Sequence, residues 1–355
     1  MRPPNIGEIY ASRRGIGALI LKFCRRHFGG VLSVTYDHPT NVPFEADPDQ
    51  APGLLDGAMT LELSAQTCDL DYWLRSVAQG TLRGLVDGHR PGSQVPEWMR
   101  EPGPLRSALI EEFAFRSIAE EKATRAISHL VLNAPSTAEM EFFSTQLIDE
   151  ARHARVFRGH LLELGVEPTE LEQTIERVAG DDRDRVLDPL EQFGLPLGRD
   201  LGDYVGGVVV LTVLVEGVLA PAAELSERKW RHLDPAAADI ERIAGVDEIR
   251  HLTVGSSVVR QHLLHHPEDR LRLLELIGRG RELWANLPVT EMIYRREVLF
   301  QQGMSGMTEF LGDYEIWPGR RLVDSAPEER LGMSATWSAE MQDSRLAYMG
   351  LVESA

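Results

Sequence analysis

Two pentapeptides, Asp149-Glu150-Ala151-Arg152-His153 and Asp247-Glu248-Ile249-Arg250-His251, write one pattern, Asp-Glu-x-Arg-His, twice in a chain of 355 residues. In each, the Glu and the His stand three positions apart, so on a helix they project from one face. A carboxylate and an imidazole so placed can reach the same metal ion or adjacent ones. Each word also has a carboxylate upstream. Glu120 precedes Glu150 by 30 residues, and Glu216 precedes Glu248 by 32. The candidate ligand set is therefore Glu120, Glu150, His153, Glu216, Glu248 and His251. Oxygen-rich ligation with some nitrogen suits redox-active iron, with manganese as the alternative, and no thiolate is present to favour zinc.

Glu216 is the most telling of the six. It sits in Val-Leu-Thr-Val-Leu-Val-Glu-Gly-Val-Leu-Ala (210–220), with apolar side chains on every face. A lone ionised carboxylate buried there costs several kcal/mol, so the position makes sense only with a cationic partner. On the first helix the choice is between Glu120 and Glu121. Leu109, Phe113, Ile127 and Val131 define a narrow apolar stripe. Glu120 falls about 20° from Leu109, inside that stripe, and Glu121 about 120° away, which favours Glu120. Ligand histidines commonly donate their second N–H to a carboxylate. Asp149 and Asp247 are expected to do this, each for the histidine of the opposite word, with Arg152 and Arg250 balancing the aspartates.

Four helices must position these groups. The first runs from about 105 to the Asn-Ala-Pro-Ser joint (133–136). Ser136 with Glu139 then makes a capping box that starts a second helix, ending near Leu164. Residues 165–200 read as a long polar connection containing a short helix. A third helix covers about 201–230. Asp234 as N-cap and Pro235 as first residue begin a fourth, to about 265. The expected fold is all-α: a four-helix bundle with one long crossover (105–265), an N-terminal extension (1–104) and a C-terminal helical extension (266–355). Within the N-terminal part, 60–86 reads as an amphipathic helix and 29–39 as a short strand pair or loop. Helices are expected at 269–285 and 289–304, followed by a tail rich in Met, Trp and Gly.

Composition narrows the class. A formal net charge of −18 excludes a nucleic-acid partner by simple repulsion. The only cysteines are Cys24 and Cys68, which excludes a disulfide framework and a rubredoxin-type site and suits the cytoplasm. The segment 12–23 has paired arginines before an apolar run, but Lys22 breaks it and no cleavage site follows, so export is not expected. The apolar run 205–220 is short for a bilayer span and carries Glu216, so it reads as a core helix. His129 lies off the ligand stripe and reads as structural. The histidines of 262–266 close the fourth helix and suit its dipole. Gly206, Gly207 and Gly217 read as close-packing positions, since no phosphate-binding pattern surrounds them.

The paired Asp-Glu-x-Arg-His words with matched upstream glutamates resemble the ferritin-like di-iron carboxylate proteins. That group includes ribonucleotide reductase small subunits, multicomponent monooxygenase hydroxylases and acyl-carrier desaturases. The resemblance covers roughly 105–265. It implies two bridged irons that react with dioxygen, a small organic substrate, an external ferredoxin or flavin reductase as electron donor, and a homodimer. Reductase small subunits carry a radical tyrosine four residues after the first histidine, where this chain has Phe157. Hydroxylases carry a threonine four residues after the third-helix glutamate, where this chain has Ala220, and Thr212 is no clear substitute. Some antibiotic-pathway N-oxygenases add a histidine where this chain has Ala244. The chain nonetheless looks similar to stand-alone oxygenases of natural-product pathways that oxidise amines, hydroxylamines or hydrazines. The alternatives are carbon hydroxylation or desaturation, a reductase-like oxidase, an iron-storing ferroxidase and a manganese catalase. Phe113, Phe157 and Thr212 are candidates to line the substrate cavity, although ordinary core packing is the role expected first of each.

Overall fold

The computed structural model describes residues 59, 61–82 and 86–352, which belong to one compact unit and are predominantly helical. The expectations for 12–23, Cys24 and 29–39 lie outside the described residues. A first helix, α1, comprises Leu70–Tyr72 and a wider-wound continuation, Trp73–Leu82, with the Asp69 carboxylate capping it by accepting from the Tyr72 N–H. It begins later than expected, because 61–69 is taken up by turns rather than helix. The short α2 (Glu97–Arg100) leads into two long antiparallel helices, α3 (Pro104–Asn133) and α4 (Thr137–Glu163). Ser136 caps α4 by accepting from the Glu139 N–H, and its hydroxyl donates to the Glu139 carboxylate. Gly165 ends α4 in the left-handed region (φ 84°), where a Cβ would be strained, and its N–H reaches the Leu162 carbonyl.

The stretch 165–200 corrects the expectation of a polar connection. It holds two amphipathic helices, α5 (Leu171–Asp182) and α6 (Asp188–Arg199), which bury Ile175, Ala179 and Leu197, joined by a wider-wound segment, Arg183–Leu187, that buries Val186. Their apolar residues are spaced widely between charges, which disguised the stripe. Next comes α7, in three continuous parts: Tyr204–Val209, a wider i→i+5 winding over Val210–Glu216, and Gly217–Trp230. The Gly217 N–H donates to the Thr212 carbonyl, the long reach that defines such a winding. The rod Tyr204–Trp230 is long and apolar enough to cross a membrane, but most of its apolar window is buried inside the protein. Asp234 caps α8 (Pro235–His265), with Pro235 at its first turn.

After α8 come α9 (Arg270–Asn286), α10 (Val289–Met304) and the short α11 (Thr308–Leu311). The tail is not irregular. It folds as an antiparallel pair, β1 (Glu315–Trp317) and β2 (Arg320–Arg321), and a long helix, α12 (Pro327–Met349). The whole of α12 escaped the sequence reading, because Met, Trp and Gly obscure its period; its buried face carries Arg330, Met341, Arg345 and Leu346. Arg330 is fully buried and donates to Glu297 of α10 at 2.5 Å, which in turn accepts from Lys229 of α7 at 2.6 Å.

The core is divided in a way that matters for the site. One apolar cluster gathers Leu105–Ile118 of α3, Val156–Leu161 of α4, Leu225 and Trp230 of α7, and Ala236–Ala244 of α8. A second gathers Ile127 and Leu130, Phe142 and Phe143, Val208–Leu214, and Val254–Val259 of the same four helices. On every one of these helices a polar layer separates the two clusters, and the six candidate ligands make up that layer together with their neighbours.

A separate charged cluster ties the loop after α1 to this frame. His89 Nε2 lies 3.0 Å from Glu163 Oε1, and His160, 3.3 Å from the other Glu163 oxygen, also meets Asp234 at 3.1 Å. The Glu163 hydrogen bond raises His89 to about 9, although burial opposes it. Burial pushes Glu163 up, but hydrogen bonds from His160 and His89 hold it at about 2. A raised histidine contributes stability in full below its unfolded value, about 6.5, and loses it as pH rises through the folded value. Stability to urea is therefore expected to fall between about pH 6.5 and pH 9. Glu163→Gln is expected to flatten that fall, and an unchanged pH profile in the variant would contradict the assignment.

Candidate metal centre

The six residues predicted from spacing converge. Glu120, Glu150, His153 and Glu248 each offer a ligand atom within 4.8 Å of the others, and so do Glu150, Glu216, Glu248 and His251. All six are buried, none more than 2% exposed. Glu121, the alternative on α3, faces outward and pairs with Arg125 at 2.7 Å and Arg158 at 2.9 Å. The helical angle thus separates the two glutamates as the apolar stripe indicated.

Both histidines present Nδ1 to the carboxylates. His153 Nδ1 lies 3.1 Å from Glu150 and 3.7 Å from Glu248. His251 Nδ1 lies 3.1 Å from Glu150, 3.9 Å from Glu248 and 4.0 Å from Glu216. Their Nε2 atoms face the aspartates of the opposite word: His153 to Asp247 at 3.2 Å, His251 to Asp149 at 3.4 Å. The arginines follow the same crossing. Arg152 donates to Asp247 at 2.5 Å, and Arg250 donates to Asp149. The repeat is thereby explained physically, since each word completes the other.

Three neighbours escaped the sequence reading. Gln146 Nε2 donates to Glu216 Oε1, Arg116 Nη2 stands 3.6 Å from Glu120, and the Trp73 indole N–H donates to Asp149 at 3.1 Å. Gln146 and Arg116 each lie four residues before a ligand, a spacing that shares its helix face, and that signal was available. Trp73 had none, because it arrives from a distant segment.

Burial and crowding set the electrostatics of the layer. Burial, then the Glu150 charge, pushes Glu120 up to about 8. Burial, with Glu150 and Glu120 beside them, drives Glu216 and Glu248 well above the usual carboxylate range. Glu150 goes the other way: burial opposes ionisation, but hydrogen bonds from His153 and His251 hold it well below. Despite burial, hydrogen bonds to Asp247 and Glu150 raise His153 to about 10, and those to Asp149 and Glu150 raise His251 to about 9. Protons on carboxyls and imidazoles balance the layer, and a divalent ion would take their place. Glu216 Oε2 is buried with no hydrogen-bond partner. An orphaned acceptor in that position costs about 1–3 kcal/mol unless something binds it. These donors fit a hard or borderline metal ion, held by oxygen with nitrogen support.

An apolar cavity of about 230 Å³ runs beside this layer, between α3, α6, α7 and α10. Its walls include Ala119 of α3, next to Glu120 in the chain, and Val215 of α7, next to Glu216, while the six candidate ligands themselves lie outside its lining. Phe113, Phe157 and Thr212 do not line this cavity. Phe113 and Phe157 pack edge to face at 4.8 Å within the first apolar cluster. Thr212 is turned by the wide winding onto Gly255 of α8, where an added Cβ would stand 2.1 Å from its hydroxyl. His129 packs on Gly198 and lines the far end of the cavity. Gly207 lies against Leu130 and Gly217 against Gln342, the close contacts expected of them. His262 pairs with Asp269 at 2.6 Å and stacks on His266.

Comparison of the sequence with models of known protein families and with curated proteins finds no match.

Proposed function

We propose that this chain is a non-haem di-iron oxygenase, its site carried in a ferritin-like four-helix bundle with one long crossover. One observation carries the reading: the two donor sets overlap, and the residues they share are Glu150 and Glu248. Two sets with two shared carboxylates suit a pair of ions bridged by those carboxylates. Glu120 and His153 would complete one position, Glu216 and His251 the other. Bound as a pair, iron would supply the chemistry of dioxygen reduction coupled to oxidation of a small organic substrate.

The chain's own contributions follow from its geometry. Asp149 and Asp247 fix the rings of His251 and His153 so that Nδ1 faces inward. Arg250 donates to Asp149 and Arg152 to Asp247, which holds both carboxylates in place. The two apolar clusters above and below the layer exclude water and strengthen every interaction within it. In the reading by resemblance, the reaction is oxidation of nitrogen in an amine, hydroxylamine or hydrazine, with electrons from an external ferredoxin or flavin reductase. A second reading, hydroxylation or desaturation at carbon, is favoured by the apolar cavity beside Glu120 and Glu216.

Purified protein loaded with ferrous iron is expected to hold two irons per chain and to consume dioxygen in proportion to oxidised substrate. Manganese-dependent breakdown of peroxide without a reductant would replace this reading with a catalase. Uptake of hundreds of irons per assembly would replace it with iron storage.

A further inference from the structure

The cavity beside the polar layer defines what it can admit. It extends along α3 from Glu112 to Leu130, a distance of roughly 27 Å at the helical rise. Three alanines, Ala119, Ala123 and Ala126, leave the groove open on one side of α3, about a quarter turn round from Glu120. The opposite wall is Val215, Val218 and Ala222 of α7. Such a space is long, narrow and apolar along its middle, and it suits a hydrocarbon chain laid parallel to the two helices.

The charged groups on its walls decide the head group. Lys122 is held by Asp188 at 2.9 Å and Glu191 at 2.5 Å, Lys229 by Glu297 at 2.6 Å, and Arg296 by Asp182 at 2.8 Å. The wall carboxylates Glu112, Glu191 and Glu297 all have a lysine partner. A bound ammonium would therefore find no unpaired carboxylate on the described walls. Arg116 differs. It is 8% exposed, its Nη1 meets Glu241 at 3.0 Å, and its Nη2 is buried without a hydrogen bond, 3.6 Å from Glu120. Its guanidinium also stacks on the Phe157 ring at 4.8 Å, which holds the fork in place. A planar donor with one open N–H, at one end of an apolar channel, suits a carboxylate.

We infer that the cavity binds an elongated apolar carboxylic acid, with its carboxylate on Arg116 and its chain running past Ala119, Ala123 and Ala126. The first carbons of that chain then pass Ala119, the residue that precedes Glu120 on α3. This rests on the proposed di-iron reading for the chemistry, but the binding stands on the cavity alone.

Calorimetric titration of the iron-loaded protein with decanoate, decanol and decylammonium tests it. One decanoate is expected to bind per chain, with decylammonium weaker by at least tenfold. Arg116→Gln is expected to weaken decanoate on the order of 10- to 100-fold, the worth of a charged hydrogen bond, and to leave decanol unchanged. Ala126→Trp should fill the channel and abolish decanoate binding with the iron count unaltered. Val218→Trp plugs it from the other wall if that variant fails to fold. Decylammonium binding as tight as decanoate, or decanoate binding that survives both plugs, would overturn the inference. Two irons with no decanoate bound sinks the inference and leaves the metal reading standing. Decanoate bound by a protein that takes up no metal does the reverse.

Discussion

Replacing Glu216 by alanine is expected to abolish two-metal binding and leave a folded, helical protein. Glu216 belongs to only one of the two donor sets, the one completed by His251, so His251→Ala should act alike. The expected iron count then falls to at most one per chain. The effect on stability divides by state. In the metal-free protein Glu216 is buried, with Oε1 hydrogen-bonded by Gln146 and Oε2 lacking a hydrogen-bond partner among the described residues. Its removal should leave the metal-free melting temperature unchanged or raise it, since an orphaned polar atom goes with it. The stabilisation conferred by metal should vanish, and at a hundredfold excess over Kd that is about 2.7 kcal/mol. Glu121→Ala supplies the control, because its side chain pairs with Arg125 and Arg158 outside the layer. Loss of metal in Glu121→Ala with retention in Glu120→Ala would reverse the assignment on α3.

The largest expected loss of stability comes from Arg250→Met. Arg250 and Asp149 are both fully buried, and the guanidinium also lies 3.8 Å from Asp247. Removing one partner of a buried ion pair strands the other, at a cost of about 3–5 kcal/mol. Urea unfolding of the metal-free protein measures it. Because the loss reflects a stranded charge, the double variant Asp149→Asn with Arg250→Met should regain most of it. Metal affinity should not return with stability. Asp149 faces His251 Nε2, and losing that carboxylate is expected to weaken the metal by about 10- to 100-fold. A double variant as unstable as Arg250→Met would show that the pair acts through packing alone.

The polar layer was legible because helical periodicity transmits chemistry directly into sequence. A Glu and His three apart must share a face, and a glutamate within an apolar run must be buried with something. Those local rules placed Glu150, His153, Glu216, Glu248 and His251 in one layer, and one angle put Glu120 there while turning Glu121 away. The crossing of Asp149 to His251 and Asp247 to His153 followed from the repeat itself. What depended on tertiary packing was not legible. The helices α5 and α6 looked polar because each buries a narrow stripe on a larger body. Phe113 and Phe157 take the core role that the sequence favoured and satisfy each other there, while small residues such as Ala119 and Ala123 make space. Small side chains leave no mark in composition, and the wide winding at Val210–Glu216 that turned Thr212 away has no sequence period to betray it.

The central claim is that six side chains from four helices hold two metal ions. Anomalous diffraction at the iron edge, from crystals of iron-loaded protein, tests it most directly. Two peaks are expected, both contacting Glu150 and Glu248, one completed by Glu120 and His153 and the other by Glu216 and His251. Density for iron elsewhere, or none in that layer at full loading, would contradict it.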